Sequence, residues 1–216
     1  MFVGHYGVSF VAKRYDPSLP LWLLFLAVQL LDVLWAPFVL LGIEKVRIVP
    51  GITRSNPLDL YYMPYTHSLV AALLWSVGAA VLYKLVAAGR RPRSAALLGL
   101  AVFSHWLLDL VVHRPDLPLY DDAAKVGLGL WNLPAIAFGL ETLLLLGGIA
   151  LCVQEGLLKT KAALVFGVAM LAIHAQVFFG APPASANAAA LTALVAYFGF
   201  AGIIHFAESR VARRQA

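Results

Sequence analysis

Six apolar runs, each close to the length of helix that crosses a bilayer, leave this chain few ways to fold. They cover residues 19–41, 67–86, 95–112, 128–153, 162–179 and the more Ala-rich 188–206. A hydrocarbon core about 30 Å thick takes about 20 apolar residues of helix, and it leaves no water to satisfy backbone groups outside a helix or closed barrel. Composition agrees. Of 216 residues, 62% are hydrophobic and 12% charged, whereas ordinary soluble domains carry about 25% charged residues. So few charges could not cover the apolar surface of a soluble fold. The expected fold is all-α: a polytopic membrane protein with about six transmembrane helices plus an N-terminal half-helix, in one domain spanning 1–216.

Proline placement fits these runs. Pro17, Pro20, Pro64, Pro92, Pro182 and Pro183 fall between or at the edges of spans, while Pro37 and Pro134 lie within them, where membrane helices tolerate proline. The net charge of +5 does not point to nucleic acid, because the bases follow no single stripe and sit between apolar runs. The lone Cys152 excludes a disulfide framework and a Cys-rich metal site.

Lys and Arg set the expected topology. Lys13 and Arg14; Lys84, Arg90, Arg91 and Arg93; Lys159 and Lys161; and Arg210, Arg213 and Arg214 mark alternate connections. Glu44, Asp59, Asp116, Asp121 and Asp122 fall in the connections between them. The positive-inside rule then places both termini in the cytoplasm and the loops 43–66 and 113–127 outside a plasma (inner) membrane. Trp22, Tyr61, Tyr62, Tyr65 and Trp131 near span ends read as an interfacial aromatic belt.

Residues 1–12 are apolar apart from His5 and Ser9, and their positive charge follows rather than precedes them, unlike a signal peptide. A half-helix rising from Arg14 back to His5 climbs about 13 Å, which brings His5 near the bilayer middle. The alternative is an amphipathic helix lying in the interface with His5 in water.

Ionisable groups inside spans are costly and need a partner or a function. Here they are Asp32, His67, His105, Asp109, Glu141 and His174, with His113 closing the third run. All are imidazole or carboxylate, and none is Lys or Arg. His105, Asp109 and His113 recur at i, i+4, i+8 and therefore share one helical face. Asp32, His105 and Asp109 sit about 16–23 Å above the cytoplasmic ends of their helices, and Glu141 about 17–20 Å down from the outer side. Mutual hydrogen bonding would explain any one of them. It does not explain so uniform a set, and the chemistry suits zinc, with manganese or iron as alternatives. The expected metal residues are His5, Asp32, His67, His105, Asp109, His113 and Glu141, with Asp109 and His105 at the centre of catalysis. His174 and His205 lack a partner at useful spacing and read as structural.

The early His5, Asp32 in the first span, Thr66-His67-Ser68 and the His105-x-x-x-Asp109 pair resemble the YdjM-like membrane-bound metal-dependent hydrolases. That family is similar to the zinc-dependent phospholipase C and single-strand nuclease superfamily, and the resemblance covers residues 2–141. It implies that Asp32, His67, His105 and Asp109 hold one zinc and His5 a second, with Asp109 bridging. His113 and Glu141 match the start and end of a third site, but position 137 holds Ala where the superfamily places His, so two metals are implied.

The expected function is hydrolysis of a phosphate ester, with a membrane lipid phosphate as substrate and Arg54, Arg114 or Lys125 available to its head group. A transporter that moves protons or metal through the buried His, Asp and Glu is the competing class; a metal-stabilised scaffold without catalysis is a third. Thr66 and Ser68 read as helix caps, and Asp116, in an outer loop, is expected to tolerate replacement by Asn.

Overall fold

The computed structural model describes residues 1–87 and 92–212, with side chains through 208. Arg90, Arg91, Arg213 and Arg214 lie outside the described residues, as does the side chain of Arg210. The helices are α1 (Val3–Tyr15), α2 (Leu21–Val28), α3 (Leu30–Leu40), α4 (Leu69–Val86), α5 (Pro92–Val112), α6 (Pro134–Gln154), α7 (Thr160–Phe179) and α8 (Ala186–Ala212). Five are long and apolar enough to cross a membrane, and a sixth is added where the bent pair α2–α3 is counted as one broken span. The protein is thus an all-α, multi-pass membrane bundle with an additional short helix at its start.

That short helix, α1, is the centre of the bundle. Val3, His5, Tyr6, Ser9 and Phe10 are all fully buried, so α1 does not lie in the interface. It packs chiefly on α6, and also on α2 and α5. Small residues allow the approach: a Cβ on Gly7 would lie 2.3 Å from the Leu144 carbonyl oxygen of α6. The N-terminus of α1 has no cap from its own sequence. Glu141 of α6 supplies one, its Oε2 accepting from the backbone N–H of Phe2 at 2.7 Å and of Gly4 at 3.2 Å. A carboxylate there satisfies orphan donors and complements the helix dipole. At the other end Lys13 Nζ donates to the carbonyls of Pro17 at 2.8 Å and Leu19 at 2.9 Å and to Glu208 Oε1 at 2.5 Å.

The first apolar run departs from one continuous helix. It bends by 56° between α2 and α3, at Gln29 rather than at Pro37. Pro37 lies inside α3; Gln29 is fully buried and its Nε2 donates to the Phe2 carbonyl at 3.3 Å. Pro134, by contrast, interrupts no helix. It is the first residue of α6, where its missing N–H costs nothing, and a 3₁₀ turn, Leu130–Asn132, precedes it.

The loop expected at 43–66 is partly ordered as an antiparallel hairpin. Strands β1 (Lys45–Ile48) and β2 (Leu58–Tyr62) pair Arg47 with Asp59 and Ile48 with Leu58, after a register shift between Lys45 and Arg47. Val46 and Leu60 alternate inward and are buried.

Buried apolar side chains form two clusters. The larger runs through the bundle around Phe10, Phe25, Leu145 and Phe166. The smaller, with Trp35, Met63, Leu117 and Trp131, lies at the hairpin end. On α3 the clusters meet between Leu31 and Trp35, and on α5 between Trp106 and Val112. Asp32 and Asp109 sit at those junctions. α4 packs on α5 and turns Leu74, Leu82 and Leu85 outward, as a lipid-facing helix does.

Candidate metal centre

Five elements bring the singled-out residues to Asp109. α5 carries His105 and Asp109, with His113 one residue past its end; α3 carries Asp32; α1 carries His5; the turn before α4 carries His67; α6 carries Glu141. His5, His105, Asp109, Glu141, His67 and His113 are all at most 3% exposed.

The two oxygens of Asp109 face different partners. Oδ1 lies 3.1 Å from His5 Nε2 and also meets the Met1 amino nitrogen. Oδ2 lies 3.1 Å from His105 Nε2, 3.5 Å from His113 Nε2 and 3.8 Å from His67 Nε2. Asp32 Oδ1 adds contacts of 3.3 Å to His67 Nε2 and 3.7 Å to His105 Nε2. The rings of His5 and His105 stack at 3.9 Å, nearly parallel. Two groups therefore have ligand atoms within 4.8 Å of one another: His5, His105 and Asp109; and Asp32, His67 and His105.

What the far side of each imidazole does determines what the near side can offer. His105 Nδ1 lies 2.7 Å from the Val28 carbonyl, which can only accept, so Nδ1 carries the proton. His113 Nδ1 lies 2.8 Å from Asp116 Oδ1 and donates for the same reason. His67 Nδ1 lies 2.7 Å from Thr66 Oγ1, whose own proton goes to Glu44 Oε2 at 2.6 Å; Nδ1 must then be the donor. As neutral imidazoles, all three rings would aim an Nε2 lone pair at Asp109 or Asp32. Lone pairs facing carboxylates repel unless a cation lies between them or the rings are protonated. His105 Nε2, His5 Nδ1 and Glu141 Oε1 have no hydrogen-bond partner among the described residues. The donor set therefore fits a divalent cation of the zinc type, whose His ligands characteristically donate their other N–H to a carbonyl or carboxylate.

Several outer partners were not evident from sequence. Glu44 Oε1 accepts from the backbone N–H of Tyr65 at 2.8 Å and Thr66 at 2.9 Å. Burial pushes its carboxyl above the usual range, against the opposing effects of His67 and these hydrogen bonds. Tyr197 of α8 donates to Asp32 Oδ2 at 2.7 Å, so the centre draws on the chain beyond residue 141. A tyrosine hydroxyl in an apolar span was the available signal.

Four expectations need correction. Thr66 does not cap α4; Ser68 does, its Oγ accepting from Ala71 N at 3.1 Å. Asp116 is not a free loop charge: it is 3% exposed and joins His113 to Arg114, whose Nε lies 3.2 Å from Asp116 Oδ2. Arg114 also pairs with Asp59, and Lys125 with Asp122 at 2.8 Å, so neither is free for a head group. Trp131 is not in an interfacial belt; it is buried with its ring 4.3 Å from that of His113. His174 stays apart from the cluster, stacked 4.5 Å from Phe138.

A cavity of about 540 Å³ opens onto Asp32, His67, Asp109, His113 and Glu141. Its roof is the hairpin loop 50–58, braced by Ser55 Oγ donating to the Trp131 carbonyl at 2.8 Å. Arg54 lines it and makes no ion pair among the described residues. No protein-family model, no curated protein and no solved structure matches the chain.

Proposed function

We propose that this chain is a membrane-embedded, metal-dependent hydrolase of the YdjM-like kind, acting on a phosphate ester of a lipid head group. The observation that carries this reading is the set of three imidazoles, His67, His105 and His113, whose committed Nδ1 protons leave Nε2 lone pairs converging on Asp109 and Asp32. Zinc, when bound, supplies the positive charge that acidifies a water and offsets charge on phosphoryl oxygens. The chain's own residues do the rest. Asp109 presents one oxygen to His5 and the other to His105, the arrangement a bridging carboxylate requires. Tyr197 holds Asp32, and Glu44 through Thr66 holds His67. Arg54 in the roof attracts the anionic end of the substrate, and the apolar walls keep bulk water out.

Transport is the weaker reading. The ionisable groups gather around Asp109, and the bundle beyond them is closed by Phe10, Leu24, Phe25 and Phe166. In the orientation this reading adopts, both termini lie on the cytoplasmic side of the plasma (inner) membrane. Its support is the basic end formed by Lys13, Arg14, Lys84, Arg93, Lys159 and Lys161.

The test is elemental analysis of protein purified in mild detergent without chelator, beside phosphate release from phosphatidic acid. About two zinc-type ions per chain are expected, with turnover lost to chelator and restored by zinc. Less than about one ion per chain overturns the proposal.

A further inference from the structure

α7 and α8 follow one another through the short loop 180–185, yet they pack on different neighbours. α7 lies against α6, and α8 against α2 and α3. At the hairpin end this leaves a cleft between them, and the cavity that starts at Asp109 continues into it. Its apolar walls there include Ile173 and Val177 on α7 and Ala189, Ala193 and Ala196 on α8. The first two are one turn apart, and the three alanines at i, i+4, i+7 share a face. Methyl side chains keep that face shallow, and no charged residue lies on either wall.

Both helices are long and apolar enough to cross the membrane, so the flank of the cleft between them faces the bilayer near its edge, where loop residues 180–183 also line the cavity. Ile173 is 37% and Val177 51% exposed, which fits a mouth open to lipid. The cavity is therefore amphipathic end to end. Carboxylates, imidazoles and Arg54 lie at one end, and uncharged, mostly apolar side chains at the other, with Gln176 and Thr192 the polar ones among them. Its volume of about 540 Å³ is in the range that accepts a molecule of drug size and mostly apolar surface, well beyond the needs of a phosphoryl group alone.

We infer that the cleft between α7 and α8 is an acyl-chain site, through which a lipid with a phosphate head group reaches Asp109 laterally from the bilayer. The head-group half of this inference rests on the hydrolase reading; the chain half rests on the cleft itself. The lipid is the occupant because it alone is abundant at that mouth and has one anionic and one aliphatic end. A helix of a second copy would match only the apolar half.

The experiment uses full-length protein in nanodiscs and a phosphonate analogue of phosphatidic acid, resistant to hydrolysis, with a diazirine in mid-chain. After photolysis, adducts are mapped by peptide mass spectrometry. They are expected to concentrate on Ile173, Val177 and 189–196, above the level on the lipid-facing Leu74 and Leu82 of α4. In Ala193→Trp, and in Val177→Trp on the facing wall, cleft adducts should fall about tenfold, as forcing an indole into that space implies. Adducts on α4 should persist, which reports an intact bundle. Equal labelling of α4 and the cleft in the unmodified protein overturns the inference, as do α8–α8 cross-links between copies at Ala193. Phosphate release from glycerol phosphate is read separately. Cleft labelling without any release leaves the chain site standing and removes the hydrolase; release without cleft labelling does the reverse.

Discussion

Gly148 of α6 faces Gly7 of α1 with no side chain between the two backbones. A Cβ on Gly148 would lie 2.4 Å from the Gly7 carbonyl oxygen, and one on Gly7 would lie 2.3 Å from the Leu144 carbonyl oxygen. Small-residue crossings of this kind let membrane helices approach closely. Here the crossing seats the helix that delivers His5.

Gly7→Ala tests that seat. The atoms it would strike are backbone, so α1 or α6 must shift rather than a side chain rotate. Overpacking of this kind costs about 1–3 kcal/mol. The expected outcome is a lower unfolding temperature in detergent together with weaker metal retention, because His5 moves with α1. Gly147→Ala on the partner helix α6, where a Cβ meets nothing within 4 Å, should leave both unchanged.

The support of His67 gives a second test. Thr66 accepts the Nδ1 proton of His67 while donating to Glu44. Thr66→Val removes that acceptor and frees the ring to rotate or change tautomer. Loss of such an outer partner lowers metal affinity by about 10–100-fold. Competition with a chelator of known zinc affinity reads this directly. Thr66→Ser keeps the hydroxyl and should bind like the parent; if Ser and Val behave alike, the hydroxyl does not orient His67.

The membrane spans were legible because apolar runs of bilayer length state their own boundaries. The face shared by His105, Asp109 and His113 was legible because helical spacing is a local rule. The rest depends on tertiary choice. The bend at Gln29 interrupts an apolar run that reads as unbroken, and it is chosen by contact with Phe2 in α1. Asp116 stands three residues from His113 and Asp122 three from Lys125, and only the folded loop shows that the first pair is buried at the centre. Tyr197 stands far along the chain from Asp32, and only the packing of α8 on α3 joins them. The hairpin did carry a local signal, the inward alternation of Val46 and Leu60, in strands too short to stand out from a loop.

Asp116 supplies the third test. It receives the Nδ1 proton of His113 and is itself held by Arg114, which also pairs with Asp59. In Asp116→Asn the amide can present nitrogen instead of oxygen to His113, and the partly exposed Arg114 loses one of its two counter-charges. Metal affinity should fall about 10–100-fold, with turnover falling in parallel at limiting zinc and recovering at excess. Asp122→Asn, half-buried in the same loop and paired with Lys125 away from His113, serves as control. Equal zinc affinity in both variants would show that Asp116 does not act through His113.

Asp109→Asn is the sharpest test, because every buried group of the centre except Glu141 lies within 4 Å of Asp109 or of its partner Asp32. The substitution keeps volume and shape but removes a negative charge from a site 2% exposed. Removing one member of a buried charge set costs about 3–5 kcal/mol. That loss would fall on metal binding if cations balance the carboxylates. It would fall on the fold if protonated histidines balance them instead. The two cases separate cleanly. With cations as the balance, Asp109→Asn purifies with less metal and without phosphate release, while its unfolding temperature approaches that of the parent stripped by chelator. With imidazolium as the balance, the parent itself carries no metal, and Asp109→Asn lowers the unfolding temperature whether or not chelator is present. Metal stoichiometry and thermal unfolding, each measured with and without chelator, decide between them. Full metal content and full turnover in Asp109→Asn would falsify the bridging role assigned to this residue.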